Sequence, residues 1–292
     1  MSDVYDLVIG DRGYSSWSLR GWLLFEAFGI PYRLHTARLY TDELPTLLQQ
    51  FHPARTAPTI RTPDGIVMPE SLAIAEELAS RHPQAGIWPE GKARAVARVL
   101  ASEMHAGFTA LRSHCPMNLR VSYTDCAPPQ AVLDDLQRLE TVWNWAWDQT
   151  GSSTWLCGAY SAADVFFAPV ATRIATYNLP VSDRAMAYVQ AHLAHPSFRK
   201  WRAMGLVDGA DQEFYRRDYP TRAWPGPVPL AATAVDGIDG VLNSACPYSG
   251  KPVTHALALA DGRRFGFCNV FCRDKTVADP EAWPAFMAIL NG

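Results

Sequence analysis

The chain has 292 residues, about twice the size of a typical domain, so two or three domains are expected. Hydrophobic residues make up 48% of the chain and charged residues 19%, which supplies a sizeable core and excludes a disordered protein. The net charge of −3 argues against a protein that binds nucleic acid through phosphate contacts.

Hydropathy argues against a membrane protein. The longest apolar run, Val165–Ala171, is far shorter than the roughly 18 residues that a membrane-spanning helix needs. The N-terminal sequence MSDVYDLVIG carries two aspartates and no basic side chain, which is not the pattern of a signal peptide. We therefore expect a cytoplasmic protein with neither a membrane nor a nucleic acid as partner.

Residues 1–82 alternate strand and helix patterns. The predicted elements are a strand over Val4–Gly10, a helix from Ser16 that Gly29 ends, a strand over Ile30–Leu34, a helix over Leu44–Phe51, strands over Thr59–Arg61 and Ile66–Met68, and a helical face through Leu72, Ala75, Leu78 and Ala79. Pro63-Asp64-Gly65 predicts a hairpin turn between the last two strands. This β-α-β-α-β-β-α order predicts a small mixed sheet with helices on its faces.

Residues 90–210 are predicted to be helical throughout. One long amphipathic stretch covers Ala93–Leu111, and Pro128-Pro129 opens another that runs to Gln149. Ser161-Ala-Ala-Asp164 before an apolar run is typical of a capping box, in which each end residue satisfies a backbone N–H of the other. The alternative is a chance Ser-x-x-Asp in a loop.

The last part of the chain has a different texture. Residues 211–240 are rich in proline and glycine and are predicted to form an extended linker. Residues 241–292 are predicted to form a small cysteine-containing module.

The first candidate site is the turn Tyr14-Ser15-Ser16 before a helix. A helix N-terminus offers free N–H groups and the positive end of a dipole, so a hydroxyl there can stabilise an anion such as a thiolate. The alternative is simple N-capping, for which serine is a preferred residue.

The second candidate site is Arg55-Thr-Ala57-Pro58 before a predicted edge strand. A cis proline there would present the backbone of Ala57 as a short edge that pairs with a peptide ligand. The alternative is an ordinary trans proline that opens a strand.

The third candidate site is Glu70-Ser71 at the start of a helix. Glu70 can accept a hydrogen bond from an ammonium group, and Ser71 with the free N–H groups can hold a carboxylate. The alternative is a helix cap with an acidic first turn.

Taken together, these motifs make residues 1 to about 210 similar to a cytosolic glutathione transferase. The serine turn through Arg20 resembles the serine motif of zeta-type and related bacterial transferases, and Ala57-Pro58 resembles the family's cis-proline segment. Glu70-Ser71 matches its Glu/Gln-Ser motif, and Gly158–Asp164 matches its capping box. The resemblance implies a thioredoxin-like N-terminal domain followed by an all-α domain.

The resemblance also implies roles for residues, with glutathione as co-substrate and a homodimer as the assembly. Ser15, or alternatively Ser16, would hydrogen-bond the glutathione thiolate. Arg55, Ala57, Pro58, Glu70 and Ser71 would bind the rest of glutathione. The walls of the electrophile pocket would include Tyr14, Met104, His105 and Phe108.

Two departures from the family pattern narrow the activity. Trp17 stands where zeta-type enzymes carry a cysteine, which disfavours a maleylacetoacetate isomerase and an omega-like, disulfide-forming activity. Tyr5 lies too early in the first strand for a tyrosine-type mechanism. We therefore expect a detoxifying transferase that acts on small electrophiles. The alternatives are a glutathione-dependent isomerase or peroxidase, and a non-enzymatic interaction or metal-sensing protein of the same fold.

Three of the six cysteines lie in the C-terminal module. Cys246-Pro-Tyr-Ser249-Gly resembles a zinc knuckle whose second cysteine is replaced by serine, and with Cys268 and Cys272 it resembles a degenerate zinc-ribbon or treble-clef module. Three thiolates could bind zinc or a softer metal, with a fourth ligand from water or a nearby side chain, either His255 or Asp274. The alternative is a metal-free module that is held together by its aromatic residues, Phe265, Phe267, Phe271 and Trp283.

Overall fold

A computed structural model describes residues 4–292 of the chain, which form two compact units. The first unit comprises the chain up to Leu193 together with Gln212–Pro225, and the second comprises Ala194–Asp211 and Gly226–Gly292. The chain therefore leaves the first unit, returns to it for a short segment, and leaves it again. No helix among the described residues is both long and apolar enough to span a bilayer.

The first unit opens with the predicted mixed sheet. Its elements are β1 (Tyr5–Ile9), α1 (Ser16–Glu26), β2 (Tyr32–Thr36), α2 (Glu43–Leu48), β3 (Thr59–Arg61), β4 (Val67–Met68) and α3 (Ser71–Arg81). The strand order is β2-β1-β3-β4, with β1 parallel to β2 and antiparallel to β3. The predicted hairpin joins β3 to β4, and Gly65 supplies its turn with a φ of +95°. The predicted element order is confirmed.

The helical part of the first unit follows. Its elements are α4 (Gly91–Ala106), α5 (Thr109–His114), β5 (Ser122–Tyr123), α6 (Gln130–Thr150), α7 (Ala162–Tyr177) and α8 (Asp183–Ala194), and β5 pairs with β6 (Thr221–Arg222). The prediction of one helix over Ala93–Leu111 is wrong. Gly107 ends α4, and Phe108 takes a left-handed φ of 58° before α5 begins.

The predicted capping box opens α7 and is confirmed. The Asp164 carboxylate accepts the N–H of Ser161 at 2.9 Å, the N–H of Leu156 at 3.1 Å and the Tyr188 hydroxyl at 3.0 Å. Complete burial raises the pKa of Asp164 to about 6, because an apolar surrounding disfavours its charged form. The box fixes the start of a helix that packs against α1 and α4.

The second unit has a three-stranded antiparallel sheet and three helices. Its elements are α9 (Pro196–Val207), β7 (Ala232–Val235), β8 (His255–Leu259), β9 (Arg264–Phe267), α10 (Val270–Ala278) and α11 (Pro284–Asn291). Helix α9 packs against α10, and Arg199 forms an ion pair with Asp279 at 2.6 Å. Phe265 and Phe267 are buried as predicted, whereas Phe271 is 37% exposed because it lies on the outer face of α10.

Candidate functional site

The first unit contains a cavity of about 700 Å³. It is lined by the start of α1, residues 39–45 around the start of α2, the segment before β3, helix α5 with the loop after it, helix α7, and residues 214–217. Among the described residues that line it there is no aspartate or glutamate, while four arginines do line it: Arg55, Arg112, Arg173 and Arg217. The lining is thus positively charged.

Ser15 is the N-cap of α1, and its hydroxyl is fully engaged. Its oxygen accepts the N–H of Ser18 at 3.2 Å, and its hydrogen is donated to the Ser18 hydroxyl oxygen at 2.7 Å. Ser18 Oγ also accepts the N–H of Gly10 at 2.9 Å, which joins the helix start to the end of β1. The geometry of Ser15 is therefore that of a structural cap that also borders the cavity.

Ser16 is the first residue of α1 and also lines the cavity. Its oxygen accepts a hydrogen bond from Arg173 Nη2 at 3.4 Å. Within residues 4–292 its hydroxyl hydrogen has no acceptor, so it remains available to a ligand. The other nitrogens of Arg173 donate to the carbonyls of Cys115 and Pro169, so α7 holds this guanidinium in place.

A cluster of three guanidinium groups surrounds the start of α1. The guanidinium carbons of Arg20 and Arg112 lie 4.6 and 4.7 Å from the centre of the Trp17 ring. Burial, together with the positive charges of Arg173 and Arg112, lowers the pKa of Arg20 well below its usual value. Burial, together with the charge of Arg112, lowers the pKa of Arg173 to about 10. The cluster favours negative charge beside Ser16.

The residues predicted to bind the rest of glutathione fall into two groups. Arg55 and Ala57 line the cavity, and the Ala57-Pro58 peptide bond is cis. Glu70 and Ser71 do not line it. The Glu70 carboxylate caps its own helix, accepting the N–H groups of Leu72 and Ala73 at 3.0 Å, and Ser71 donates to the same carboxylate at 3.3 Å.

The predicted pocket residues are similarly divided. Tyr14 lines the cavity, whereas Met104, His105 and Phe108 do not. Met104 is fully buried, and Phe108 is 6% exposed at the break between α4 and α5. His105 lies edge-on to Trp17 at 5.3 Å between ring centres, and its Nδ1 is 3.5 Å from the Glu70 carboxylate.

Phe214, Tyr215 and Arg217 line the cavity, although the sequence pattern predicts that they belong to a linker. The Gln212 N–H donates to the Tyr14 hydroxyl at 3.0 Å, and the ring of Tyr215 lies 4.8 Å from that of Tyr14. Phe214 and Arg217 complete this wall. The sequence signal that could have found it is the run Phe-Tyr-Arg-Arg, which is unusual in a solvated connector.

The second unit brings together the three predicted metal-binding cysteines. The Sγ atoms of Cys246, Cys268 and Cys272 all lie within 4.8 Å of one another. The Ser249 hydroxyl donates to Cys268 Sγ at 3.2 Å. Neither of the other two predicted ligands joins the cluster: Asp274 accepts a hydrogen bond from Arg273, and His255 bonds with Thr254.

Comparison with known proteins bears on the first unit. Residues 14–81 match the family model of the glutathione S-transferase N-terminal domain. A glutathione transferase Omega 2S from Trametes versicolor is similar in structure, with a TM-score of 0.56 and 18% identity over 74% of this chain and 100% of that chain. The chain has the glutathione transferase fold.

Two further transferase homologues have structures that contain glutathione. One from Burkholderia, with bound glutathione, has a TM-score of 0.53 and 21% identity over 69% of this chain and 98% of that chain. One from Lodderomyces elongisporus, with two glutathione molecules per subunit, has a TM-score of 0.53 and 16% identity over 68% and 97%. Among curated proteins none matches the chain. The family-model match and these structures confirm the predicted architecture of a thioredoxin-like domain followed by a helical region.

Proposed function

We propose that the chain binds glutathione in the cavity of the first unit and activates its thiol to attack small electrophiles. The observation that carries the proposal is that one cavity combines a free serine hydroxyl at a helix start, the Ala57 edge and four arginines. The glutathione-containing structures of similar fold support the choice of ligand.

Of the two candidate serines, Ser16 is the better thiolate donor. Ser15 already donates its hydrogen to the Ser18 hydroxyl at 2.7 Å, so using it would break the bond that joins the two serine side chains. Ser16 has a free hydrogen, and its oxygen is held by Arg173. Ser15 then acts as a positioning residue, which fixes the helix start from which Ser16 donates.

The chemistry follows from the charge of the site. A free thiol has a pKa near 8.5, so little thiolate is present at neutral pH. The Ser16 hydroxyl, the helix N-terminus and the guanidinium of Arg173 all favour the anion, so the thiol proton passes to solvent. The sulfur then forms a bond to the electrophilic carbon, and the leaving group departs with the electron pair of its own bond.

The residues predicted from the sequence are assigned to the rest of the glutathione molecule. Arg55 would hold the glycyl carboxylate, and the backbone of Ala57, set by Pro58, would pair with the cysteinyl part. Glu70 and Ser71 would hold the γ-glutamyl end. This last contact requires the Glu70 carboxylate to exchange part of its own helix cap for the ligand ammonium.

Calorimetry with the full chain tests glutathione binding. Ultraviolet absorbance then measures ionisation of the bound thiol, and turnover of chlorodinitrobenzene measures catalysis. We expect binding, a thiolate signal below the pH at which free glutathione ionises, and turnover. Arg138→Gln serves as a control, because Arg138 pairs with Glu103 on an exposed surface outside the cavity. No binding of glutathione by the wild-type chain would refute the proposal. Glutathione binding without turnover of any electrophile would favour the non-enzymatic alternative, and isomerase and peroxide assays would separate the remaining activities.

The assembly and compartment are proposed alongside this function. We propose that the chain forms a homodimer, as the resemblance to glutathione transferases implies. We also propose that it is cytoplasmic, because all six cysteines are free thiols, as is usual in a reducing compartment. Light scattering of the purified chain tests the dimer, and a monomeric mass would contradict it.

The second unit supports a separate candidate function, metal binding by Cys246, Cys268 and Cys272. This proposal is based on the spacing of their sulfur atoms. All three Sγ atoms lie within 4.8 Å of one another, and those of Cys268 and Cys272 are 4.0 Å apart. Two thiolates on one tetrahedral zinc ion lie about 3.8 Å apart, given Zn–S bonds of about 2.3 Å, so a small contraction would suffice. Ser249 or water would complete the set.

Metal analysis of the purified chain tests this second function. We expect about one zinc or copper ion per chain and its loss in Cys268→Ser. Cys157→Ser is the matched control, because Cys157 is a buried thiol outside the cluster. Wild-type protein that holds no metal after exposure to zinc and to Cu(I) would leave the metal-free, aromatic-packed module as the correct interpretation.

A further inference from the structure

The cavity has more positive charge than the serine turn requires. Arg112 and Arg217 line it from α5 and from residues 212–217. Arg112 Nη1 donates only to the carbonyls of His105 and Gly107, at 3.2 and 3.4 Å. Arg217 Nη1 donates to the carbonyls of Phe214 and Arg216. Each guanidinium is thus positioned by neutral oxygens and has no carboxylate partner among residues 4–292.

The buried cations beside them, Arg20 and Arg173, form no salt bridge within the described chain, although the Glu70 carboxylate is close enough to attract Arg20. Arg173 is 5% exposed and Arg20 is 2% exposed, and the Nε and Nη1 atoms of Arg20 have no hydrogen-bond partner in the described chain. Removing an ion from water is costly unless a counter-charge compensates for it. The site is therefore arranged to receive more than one anionic group.

Glutathione does not account for all of these cations. Its thiolate is assigned to Ser16 and Arg173, its glycyl carboxylate to Arg55, and its γ-glutamyl end to Glu70 and Ser71. Arg112 and Arg217 remain, on walls that these contacts do not use. The Trp17 ring, which also lines the cavity, lies beneath Arg112 and helps to hold its guanidinium in place.

The geometry points to an electrophile that carries a carboxylate. Arg112 binds this carboxylate, and Arg217 faces the same part of the cavity, while the reacting carbon of the electrophile lies beside the thiolate at Ser16. A planar guanidinium can hold a carboxylate through two parallel hydrogen bonds. The carboxylate takes no part in bond formation; the thiolate sulfur bonds to carbon and a halide leaves with the electron pair. This inference rests on the proposed function, because the electrophile needs the thiolate.

Binding of two unreactive probes tests the charge preference directly. Dinitrobenzoate and dinitrobenzamide have nearly the same shape and differ in charge, and calorimetry with the full chain measures their Kd values with and without glutathione. Since hydrogen bonds to charged groups are the strong ones, we expect the acid to bind about 10-fold or more tightly. Equal Kd values for the wild-type chain would overturn the inference.

Variants locate the preference. Arg112→Gln should remove most of it, Arg112→Lys should keep part of it, and Arg138→Gln, outside the cavity, should leave it intact. A preference unchanged in a folded Arg112→Gln protein would overturn the assignment to Arg112. The wild-type comparison needs no variant, so the inference stays testable if Arg112→Gln fails to fold.

Turnover separates this inference from the function beneath it. The ratio of kcat/KM for chlorodinitrobenzoate over chlorodinitrobenzamide, each corrected for the uncatalysed reaction, should fall about 10-fold in Arg112→Gln. A chain that does not bind glutathione refutes the proposed function. A chain that binds glutathione and uses both electrophiles equally well refutes the anion preference alone.

Discussion

At the start of α1, substitution of either of two adjacent serines by alanine is expected to change a different property of the protein. Ser16→Ala removes a free hydroxyl that faces the cavity, and Ser15→Ala removes a hydroxyl that caps the helix. We expect the first to change the ionisation of bound glutathione and the second to change stability. The pair is matched in size, chemistry and position, so each variant is the control for the other.

The magnitudes come from the bonds that each serine makes. A hydrogen bond to a charged group contributes about 1.5–3 kcal/mol, which corresponds to about one to two pKa units at 1.36 kcal/mol per unit. Ser16→Ala should raise the pKa of the bound thiol by that amount and reduce the rate near neutral pH about 10- to 100-fold. Ser15→Ala loses an N-cap worth about 0.5–2 kcal/mol and should lower Tm by several degrees.

The pKa of bound glutathione is measured from the pH dependence of thiolate absorbance, the rate from chlorodinitrobenzene turnover, and stability from thermal unfolding. The reasoning is refuted if Ser15→Ala raises the thiol pKa more than Ser16→Ala does. It is equally refuted if Ser16→Ala leaves both the pKa and the rate unchanged.

Three further predictions concern stability. Gly21→Ala should lower the free energy of unfolding by about 1–3 kcal/mol, because the added Cβ would clash with the ring of Pro58, even though alanine normally favours a helix; a higher Tm would contradict this. Asp164→Asn removes a carboxyl group whose pKa of about 6 in the folded protein exceeds the usual 3.8. The free energy of unfolding of the wild type, relative to that of the variant, should therefore fall by up to about 3 kcal/mol as the pH rises from 4 to 7. Chemical denaturation at several pH values measures this difference, and an increase with pH would refute the prediction. Lys275→Met should cost the second unit about 1–2 kcal/mol in urea unfolding, since the ammonium lies 3.9 Å from the ring centres of both Tyr248 and Trp283; no change would show that these contacts contribute nothing.

Much of the fold could be predicted because its signals are local. The hairpin depends on Gly65, and the start of α7 depends on Ser161 and Asp164, and in each case the residues that decide the structure are neighbours in sequence. The break at Gly107 was missed because the apolar periodicity of α4 continues past it into α5.

The site was predicted less completely, because its parts come from distant segments. Ser16 and Ala57 carry local motifs, and both line the cavity. Arg173 lies far along the chain and reaches Ser16 only through the packing of α7 on α1, which no local pattern encodes. For Glu70 the local motif suggests more than the structure shows. The motif predicts a ligand contact, while the carboxylate accepts hydrogen bonds from backbone N–H groups of its own helix.

The return of residues 212–225 to the first unit has a consequence for dissecting this protein. Helix α9 belongs with the cysteine-containing unit and is tied to it by the Arg199–Asp279 ion pair, yet the chain on its C-terminal side supplies a wall of the cavity. A truncation after Pro225 would keep that wall but strip α9 of its partners, and one before α9 would delete the wall itself. No single cut therefore yields a fragment that has both a complete cavity wall and a fully packed α9, so ligand binding by the first unit has to be studied in the full chain.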